Sequence, residues 1–234
     1  MLLQLKSNEC FKRGDYKINL LFKIQKKIEK KCINGIIKMD NNFKRKSFYY
    51  RGVSFMKIYY VRHGQTDLNL ARKMQGGGTE KELNKTGINQ ANETRKELEN
   101  VKYDITICSP MYRAKQTAEI INKGKDVQTI IDERIRERKL GELEGHDITN
   151  EIENQIWDYD LNYQIPNGEN LHDFEKRILD FFEDIKRKYS NKTVLIVAHG
   201  GIAKVLKSHI YGIPESRKLS DITTKNCEVI EAEI

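Results

Sequence analysis

The feature that most constrains the fold of this chain is an alternation of strand and helix patterns that begins at residue 56 and continues to residue 234. Short apolar runs typical of strands lie at 57–61, 103–108, 127–131 and 193–198. Helical patterns with one apolar face follow them, at 86–100, 111–123, 171–185 and 200–212. A last segment, 227–234, alternates like an edge strand. The pattern predicts an α/β fold, a three-layer sandwich whose mostly parallel central sheet carries helices on both faces.

Two of the predicted helices carry recognisable start signals. Ser109 and Pro110 stand where an N-cap and a first helical residue are expected. Asn170 is expected to cap the long helix, whose apolar stripe consists of Leu171, Phe174, Ile178, Phe181 and Ile185. These signals predict helix starts near residues 110 and 171.

The charge of the chain is distributed unevenly and divides it into two parts. The net charge is +8, but residues 1–55 alone hold 14 Lys and Arg against 4 Asp and Glu, a balance of +10. The remaining residues hold 28 against 30, a balance of −2. We therefore expect a basic amino-terminal extension, 1–55, and a separate folded domain, 56–234, for which no nucleic-acid partner is expected.

The extension allows two interpretations. Leu21, Ile24, Ile28 and Cys32 recur at helical spacing among lysines, as in a basic amphipathic helix that contacts an anionic membrane or RNA. The alternative is a poorly ordered tail, or untranslated sequence upstream of a start at Met56, since the segment lacks the material for a core of its own.

The cysteines and the apolar runs indicate a compartment. Cys10, Cys32, Cys108 and Cys227 form no closely spaced pair, which is typical of a reduced, cytoplasmic protein. No apolar run approaches the roughly 20 residues of a membrane span, and no continuous apolar core resembling a signal peptide precedes the first charges. We expect a cytoplasmic protein.

Two histidines occupy positions that suggest a site. His63 follows the first predicted strand directly, and His199 follows the strand at 193–198. Open α/β sheets bind ligands at the carboxyl ends of their strands. Both histidines precede a glycine, which is expected to let backbone amides approach a ligand closely. Either histidine alone fits a structural role equally well, but together they predict one site.

Two arginines are expected at the same edge of the sheet. Arg62 adjoins His63, and Arg113 lies in the first turn of the helix after the second strand. Guanidinium groups and imidazoles that converge on one crevice favour a compact dianion such as a phosphoryl group. A metal would require carboxylate or thiolate ligands that this set lacks, so neither a metal nor another cofactor is expected.

Four segments, in this order, carry a family resemblance: "VRHGQTDLN", "SPMYRAKQTA", "IRERKLGELEG" and "VAHGG". Together they resemble the histidine phosphatase superfamily, in its phosphoglycerate-mutase-like branch. The resemblance covers residues 56 to about 230, identifies 56–234 as the catalytic domain and leaves out the first 55 residues.

The resemblance implies a role for each matched residue. His63 is the nucleophile that becomes phosphorylated, and Arg62, Arg113 and His199 hold the phosphate. Glu137 is the proton donor to the leaving oxygen, although its neighbours Glu133, Glu142 and Glu144 offer alternatives that only the resemblance sets aside. Candidate substrate-binding residues, each of which could instead shape the loop, are Asn69, Gln75 and Gly76. Trp157, His146, His172 and His209 are interpreted as ordinary residues, Trp157 within a lid.

The resemblance also indicates the type of reaction. Only 62 positions separate Glu137 from His199, which is similar to the phosphatases rather than to mutases with their longer lids. We therefore expect a metal-independent phosphatase that hydrolyses small phosphorylated metabolites through a phosphohistidine. Phosphoglycerate mutase, α-ribazole phosphatase and phosphoserine phosphatase remain alternatives, as does a non-catalytic phosphate-binding module. The oligomeric state stays open.

Overall fold

A computed structural model describes residues 56–234, and its central sheet has five strands. The strands are β1 (Lys57–Arg62), β2 (Ile105–Cys108), β3 (Thr129–Ile131), β4 (Val194–Ala198) and β5 (Val229–Glu233). Their order across the sheet is β3-β2-β4-β1-β5. The first four pair in parallel, and β5 runs antiparallel to β1 at one edge. The prediction of a mostly parallel sheet with an edge strand at the end of the chain is confirmed.

The helices connect these strands. They are α1 (Asp67–Leu70), α2 (Lys85–Glu97), α3 (Tyr112–Asn122), α4 (Asn150–Ile156), α5 (Leu171–Lys188) and α6 (Gly200–Tyr211). Short 3-10 turns lie at Glu133–Ile135, Gly141–Leu143 and Leu219–Asp221. The long connection between β3 and β4 holds α4 and α5 and supplies much of the wall of the site described below.

Alternate residues of each central strand pack on opposite faces of the sheet. Tyr60 and Ile196 belong to a large core with the apolar faces of α5 and α6, whereas Val61 and Val197 belong to a second core with α2 and α3. Because side chains alternate along a strand, the three buried strands β1, β2 and β4 supply both cores at once. The predicted three layers follow directly from this alternation.

Both helices begin within two residues of their predicted starts, but one of the two predicted caps is wrong. Helix α3 begins at Tyr112, its N-cap Met111 has no side-chain capping bond, and Pro110 lies in the preceding turn. Ser109 faces the sheet edge, where its hydroxyl meets His199 at 2.6 Å. The other cap is confirmed, since the Asn170 side chain accepts a hydrogen bond from the backbone N–H of Asp173 at 2.9 Å.

The prediction for the basic extension, 1–55, lies outside the described residues. Among residues 56–234, no helix is both long enough and apolar enough to cross a membrane.

Candidate active site

The two predicted histidines meet at the carboxyl ends of two neighbouring strands. Arg62, at the end of β1, pairs with Ala198 at the end of β4, and the next residues are His63 and His199. The backbone N–H of His63 donates to the Ala198 carbonyl at 2.9 Å. The two rings lie 5.2 Å apart, centroid to centroid, at an angle of 60°. Parallel pairing of β1 and β4 therefore brings together two histidines that are 136 positions apart in the chain.

His63 is buried and held in one orientation. Its Nδ1 lies 2.8 Å from the Gly64 carbonyl oxygen, which accepts a hydrogen from a protonated Nδ1 and so leaves the lone pair on Nε2. Burial, and then the charges of Arg113 and Arg62, lower the pKa of His63 well below its usual value. The imidazole is consequently neutral near pH 7, with Nε2 available as a nucleophile.

Arg113 lies against the nucleophilic face of His63. Its Nε donates to His63 Nε2 at 3.2 Å, and its two terminal nitrogens donate to the carbonyls of Thr79, at 2.8 Å, and Gly76, at 3.3 Å. The side chain is fully buried. Burial lowers the pKa of Arg113 to about 10, so the guanidinium remains charged at neutral pH. A fixed positive charge thus stands beside the predicted phosphorylation site.

His199 is buried, and only one of its ring nitrogens is hydrogen-bonded within residues 56–234. Its Nε2 bonds to the Ser109 hydroxyl at 2.6 Å, whereas its Nδ1 has no hydrogen-bond partner in that range. The hydroxyl of Tyr60 donates to the His199 carbonyl and fixes the backbone there. Burial and the nearby Arg113 lower the pKa of His199 well below its usual value.

The Glu137 carboxylate accepts hydrogen bonds from two backbone amides. Its Oε1 accepts from the N–H of Arg138 at 2.9 Å, and its Oε2 accepts from the N–H of Gly201 at 3.0 Å. Only 9% of the residue is exposed. Gly201 lies in the first turn of α6, two residues after the N-cap His199, so the same helix start supports both groups.

A cavity of about 220 Å³ connects these groups. Arg62, His63 and Glu137 all line it, together with Asn69 and Gln75. Three of the five predicted catalytic residues and two of the three predicted substrate-binding residues therefore line one cavity. The other two catalytic residues, Arg113 and His199, contact the ring of His63. The geometry fits a single reaction centre.

Gly76 does not line this cavity, and it contributes through its backbone. Its carbonyl accepts from Arg113, and a Cβ added to it would lie 2.4 Å from Glu144 Oε1 and 2.8 Å from the Leu140 nitrogen. Gly64 likewise serves packing, because a Cβ there would lie 2.5 Å from the Gly87 carbonyl oxygen. Its N–H donates to the Thr117 hydroxyl at 3.1 Å, and the expectation that backbone amides approach a ligand beside this glycine stays a prediction.

The side chains of Asn69 and Gln75 both accept hydrogen bonds from Thr66. The Thr66 side chain donates to Gln75 Oε1 at 2.8 Å, and the backbone N–H of Thr66 donates to Asn69 Oδ1 at 3.2 Å. Asn69 Oδ1 also accepts from the Asn226 amide at 3.3 Å. These contacts turn both side chains towards the cavity and leave Gln75 Nε2 without a partner.

The buried polar atoms that lack partners cluster at this cavity. Among residues 56–234 they are Arg62 Nε, Gln75 Nε2, Arg138 Nη2, His199 Nδ1 and Thr224 Oγ1. Four of these five residues line the cavity. Since buried polar groups are nearly always hydrogen-bonded, the cluster indicates a ligand rich in acceptor oxygens.

The chain matches the family model described as "Histidine phosphatase superfamily (branch 1)" over residues 58–234. It belongs to the histidine phosphatase superfamily. This histidine phosphatase is 38% identical over 177 residues to "Uncharacterized phosphatase PhoE" of Bacillus subtilis (strain 168), covering 74% of this chain and 89% of that protein. It is 34% identical to "Putative phosphoserine phosphatase 2" of Hydrogenobacter thermophilus, covering 67% and 79%.

Solved structures agree with the fold of this histidine phosphatase. The Entamoeba histolytica phosphoserine phosphatase in complex with 3-phosphoglyceric acid aligns with a TM-score of 0.63 and 26% identity, over 75% of this chain and 89% of that one. Bacillus stearothermophilus YhfR aligns with a TM-score of 0.61 and 31% identity, over 68% and 85%.

The cavity wall of this histidine phosphatase also includes residues that were not predicted there, among them Arg138, Trp157 and Lys204. Trp157 was interpreted as an ordinary lid residue, but it is buried and packs on the Arg138 guanidinium at 5.0 Å. Lys204 lies one turn beyond Gly201 on α6, and this helical spacing could have placed it near the site. No comparable sequence pattern places Arg138 and Trp157 near the site, because it is the folding of the β3–β4 connection that brings them to the cavity wall.

Proposed function

We propose that this histidine phosphatase hydrolyses small phosphomonoesters through a covalent phosphohistidine at His63. The observation that carries the proposal is the state of the His63 ring, neutral, with Nδ1 bonded to the Gly64 carbonyl and Nε2 facing Arg113. An imidazole held in this way has a directed lone pair beside a positive charge, and that is what attack on a phosphoryl dianion requires.

The first step transfers the phosphoryl group to the enzyme. The Nε2 lone pair of His63 forms a bond to phosphorus while the bond to the ester oxygen breaks. An alkoxide is a poor leaving group, so the protonated Glu137 carboxyl gives its proton to that oxygen. Arg62, Arg113 and His199 supply donors and positive charge around the phosphoryl oxygens, which supports a route that needs no metal.

The second step releases phosphate. The Glu137 carboxylate, now without its proton, accepts one from water as the water oxygen bonds to phosphorus and the bond to His63 breaks. Glu137 and His63 line one cavity, so a single water-filled volume serves both steps. A binding module would not need a carboxylate held at this place by two amides.

The size of the cavity supports a compact substrate. Its volume of about 220 Å³ is smaller than the roughly 300–1,000 Å³ typical of pockets for larger ligands. Phosphoserine or phosphoglycerate fits this class better than a nucleotide-like ester such as α-ribazole phosphate. The names of two similar proteins support the same class: "Putative phosphoserine phosphatase 2" of Hydrogenobacter thermophilus, and the Entamoeba histolytica phosphoserine phosphatase in complex with 3-phosphoglyceric acid.

The charge balance and the buried cysteines support two further parts of the proposal, a catalytic domain without a nucleic-acid partner and a cytoplasmic location. Residues 56–234, the proposed catalytic domain, have a balance of −2, which does not favour a nucleic-acid partner. Cys108 and Cys227 are buried free thiols, as suits a reducing cytoplasm.

The test is turnover of a phosphomonoester panel by the full chain in EDTA, with His63→Ala as the inactive variant and His209→Ala, an exposed histidine on α6, as the matched control. The panel includes phosphoserine, 3-phosphoglycerate, α-ribazole 5'-phosphate and p-nitrophenyl phosphate. We expect phosphate release that survives chelation, a base-stable phosphoryl adduct on wild-type protein, and loss of both in His63→Ala only. Activity that persists in His63→Ala, or efficient interconversion of phosphoglycerates, would overturn the proposal.

A further inference from the structure

A single arginine on α5 holds the chain segment that carries Glu137. One terminal nitrogen of Arg177, Nη1, donates to the carbonyls of Arg134 at 2.5 Å and Arg136 at 2.9 Å. The other, Nη2, donates to the Glu137 carbonyl itself at 3.3 Å. One rigid guanidinium plane therefore spans three carbonyls within four consecutive residues, ending at the proposed proton donor.

Glu169 fixes the orientation of that guanidinium. Its two carboxylate oxygens accept from Arg177 Nε at 2.7 Å and Nη2 at 2.9 Å, a bidentate pair. The backbone of Glu169 is tied to the same segment, because its N–H donates to the Lys139 carbonyl and its carbonyl accepts from Arg138 Nε. Bidentate pairing adds directional precision as well as energy, so Arg177 has little freedom to turn.

Helix α5 also supports the second amide that grips the Glu137 carboxylate. The Arg177 guanidinium lies 4.7 Å from the centre of the Phe174 ring, one turn earlier on the helix. Phe174 in turn closes the space beneath Gly201, where an added Cβ would lie 3.1 Å from its Cζ. Residues of α5 therefore support both N–H groups that hold the carboxylate: Arg177 bonds the segment that leads to Arg138, and Phe174 packs against Gly201.

Neither member of the pair lines the cavity that His63 lines. Both face a separate, more open cavity behind the segment. An effect of either residue on the reaction must therefore pass through the groups it holds.

We infer that Arg177 and Glu169 are positioning residues that set the place of the Glu137 carboxyl for proton transfer, an inference that rests on the proposed function. Glu137 matters most when the leaving oxygen is a strong base and needs a proton. Loss of the pair should therefore slow the cleavage of alkyl phosphates far more than the cleavage of p-nitrophenyl phosphate, whose leaving group departs as a stable anion.

The experiment measures the rate of phosphohistidine formation by rapid quench with phosphoserine and with p-nitrophenyl phosphate. The variants are Arg177→Lys, which keeps the charge but loses the fork, and Glu169→Gln, which keeps the shape but loses the charge. Arg187→Lys is the matched control on the same helix. Arg187 is exposed, and within the described residues its ion pair is with Asp184, one turn earlier on α5. We expect a loss of about 10- to 100-fold with phosphoserine and of under about threefold with p-nitrophenyl phosphate.

A double variant separates positioning from general damage. If Arg177 acts through Glu137, then Arg177→Lys should cost almost nothing further in a Glu137→Gln background, because the group it positions no longer transfers a proton. The positioning role would be overturned if the variants slowed phosphohistidine formation equally with both substrates. It would also be overturned if the effects of Arg177→Lys and Glu137→Gln on that rate were fully additive. The proposed function would still stand in either case, provided that the wild-type protein turns over. A wild-type protein that forms no phosphohistidine would overturn the proposed function first, and this inference with it.

Discussion

His63 and His199 are two imidazoles that share one buried volume, and both are uncharged there for the same reason. Their rings lie 5.2 Å apart, and both side chains are almost completely buried beside Arg113. Burial and the guanidinium charge each oppose protonation, so the pKa of each histidine lies well below 6.5 in the folded protein. The arrangement keeps a nucleophile ready, and it carries a cost in stability at low pH.

We expect the free energy of unfolding to fall as the pH drops below about 6.5. In that range the unfolded chain binds protons at both histidines and the folded chain does not. For each histidine, the free energy of unfolding therefore rises with pH between the lowered pKa of the folded chain and the ordinary pKa of the unfolded chain. The slope is at most about 1.4 kcal/mol per pH unit for each histidine. The measurement is urea unfolding of the full chain at several pH values between 5.5 and 7.5, beside His199→Gln.

The comparison between the two chains isolates one histidine. Carboxylates that begin to titrate near pH 5 contribute equally to both, so the difference in slope reports His199. The variant should lose stability less steeply on acidification than the wild type. Identical slopes in both chains would show that His199 is protonated equally easily in the folded and unfolded states.

At the scale of elements, the first two residues of α6, Gly200 and Gly201, differ in how much space surrounds them. A Cβ at Gly201 would lie 2.3 Å from Glu137 Oε1 and 3.0 Å from Trp157, whereas a Cβ at Gly200 would lie 3.4 Å from Arg62 Nε, an ordinary contact. Both positions are helical, where alanine is normally better than glycine by roughly 0.5–1 kcal/mol. The difference between the two sites therefore lies in their surroundings.

We expect Gly201→Ala to lower kcat/KM for an alkyl phosphate by about 10- to 100-fold, because the Glu137 carboxylate must move out of proton-transfer geometry. Gly200→Ala is the matched variant one residue earlier and should have a much smaller effect. Steady-state kinetics and thermal unfolding of both variants check this. A loss in Gly200→Ala as large as that in Gly201→Ala would mean that the helix start, and not the carboxylate, is what the extra methyl disturbs.

Prediction from the sequence succeeded where a short-range signal determined the outcome. The strand endings placed His63 and His199, and Asn170 caps α5 as its side chain predicts. The Ser109–Pro110 signal gave the wrong cap, since the N-cap is Met111 and the Ser109 hydroxyl, besides accepting from the Met111 N–H, bonds to His199, a residue distant in sequence. Arg138 and Trp157 could not be predicted for the same kind of reason, because only tertiary packing brings them to the cavity.

At the scale of the whole molecule, residues 56–234 contain a complete sheet and both cores. β1 pairs with β4 on one side and β5 on the other, so the first and last strands of this region are joined. Met56 and Ile234 exchange backbone hydrogen bonds of 3.0 and 3.1 Å, which closes the sheet at that end. Among the residues that the structure describes, those that line the cavity lie between Arg62 and Thr224.

We therefore expect a chain of residues 56–234 to unfold cooperatively and to hydrolyse phosphoserine with the same kcat/KM as the full chain. The physical reason is that every proposed catalytic group and its supporting contacts lie within this range. Urea unfolding and steady-state kinetics of both chains, at low and at high salt, are the measurements. Because residues 1–55 have a balance of +10, a difference in KM that disappears at high salt would show that they attract the anionic substrate. A difference that persists at high salt would contradict the prediction, since it would mean that the extension takes part in the fold or in the site.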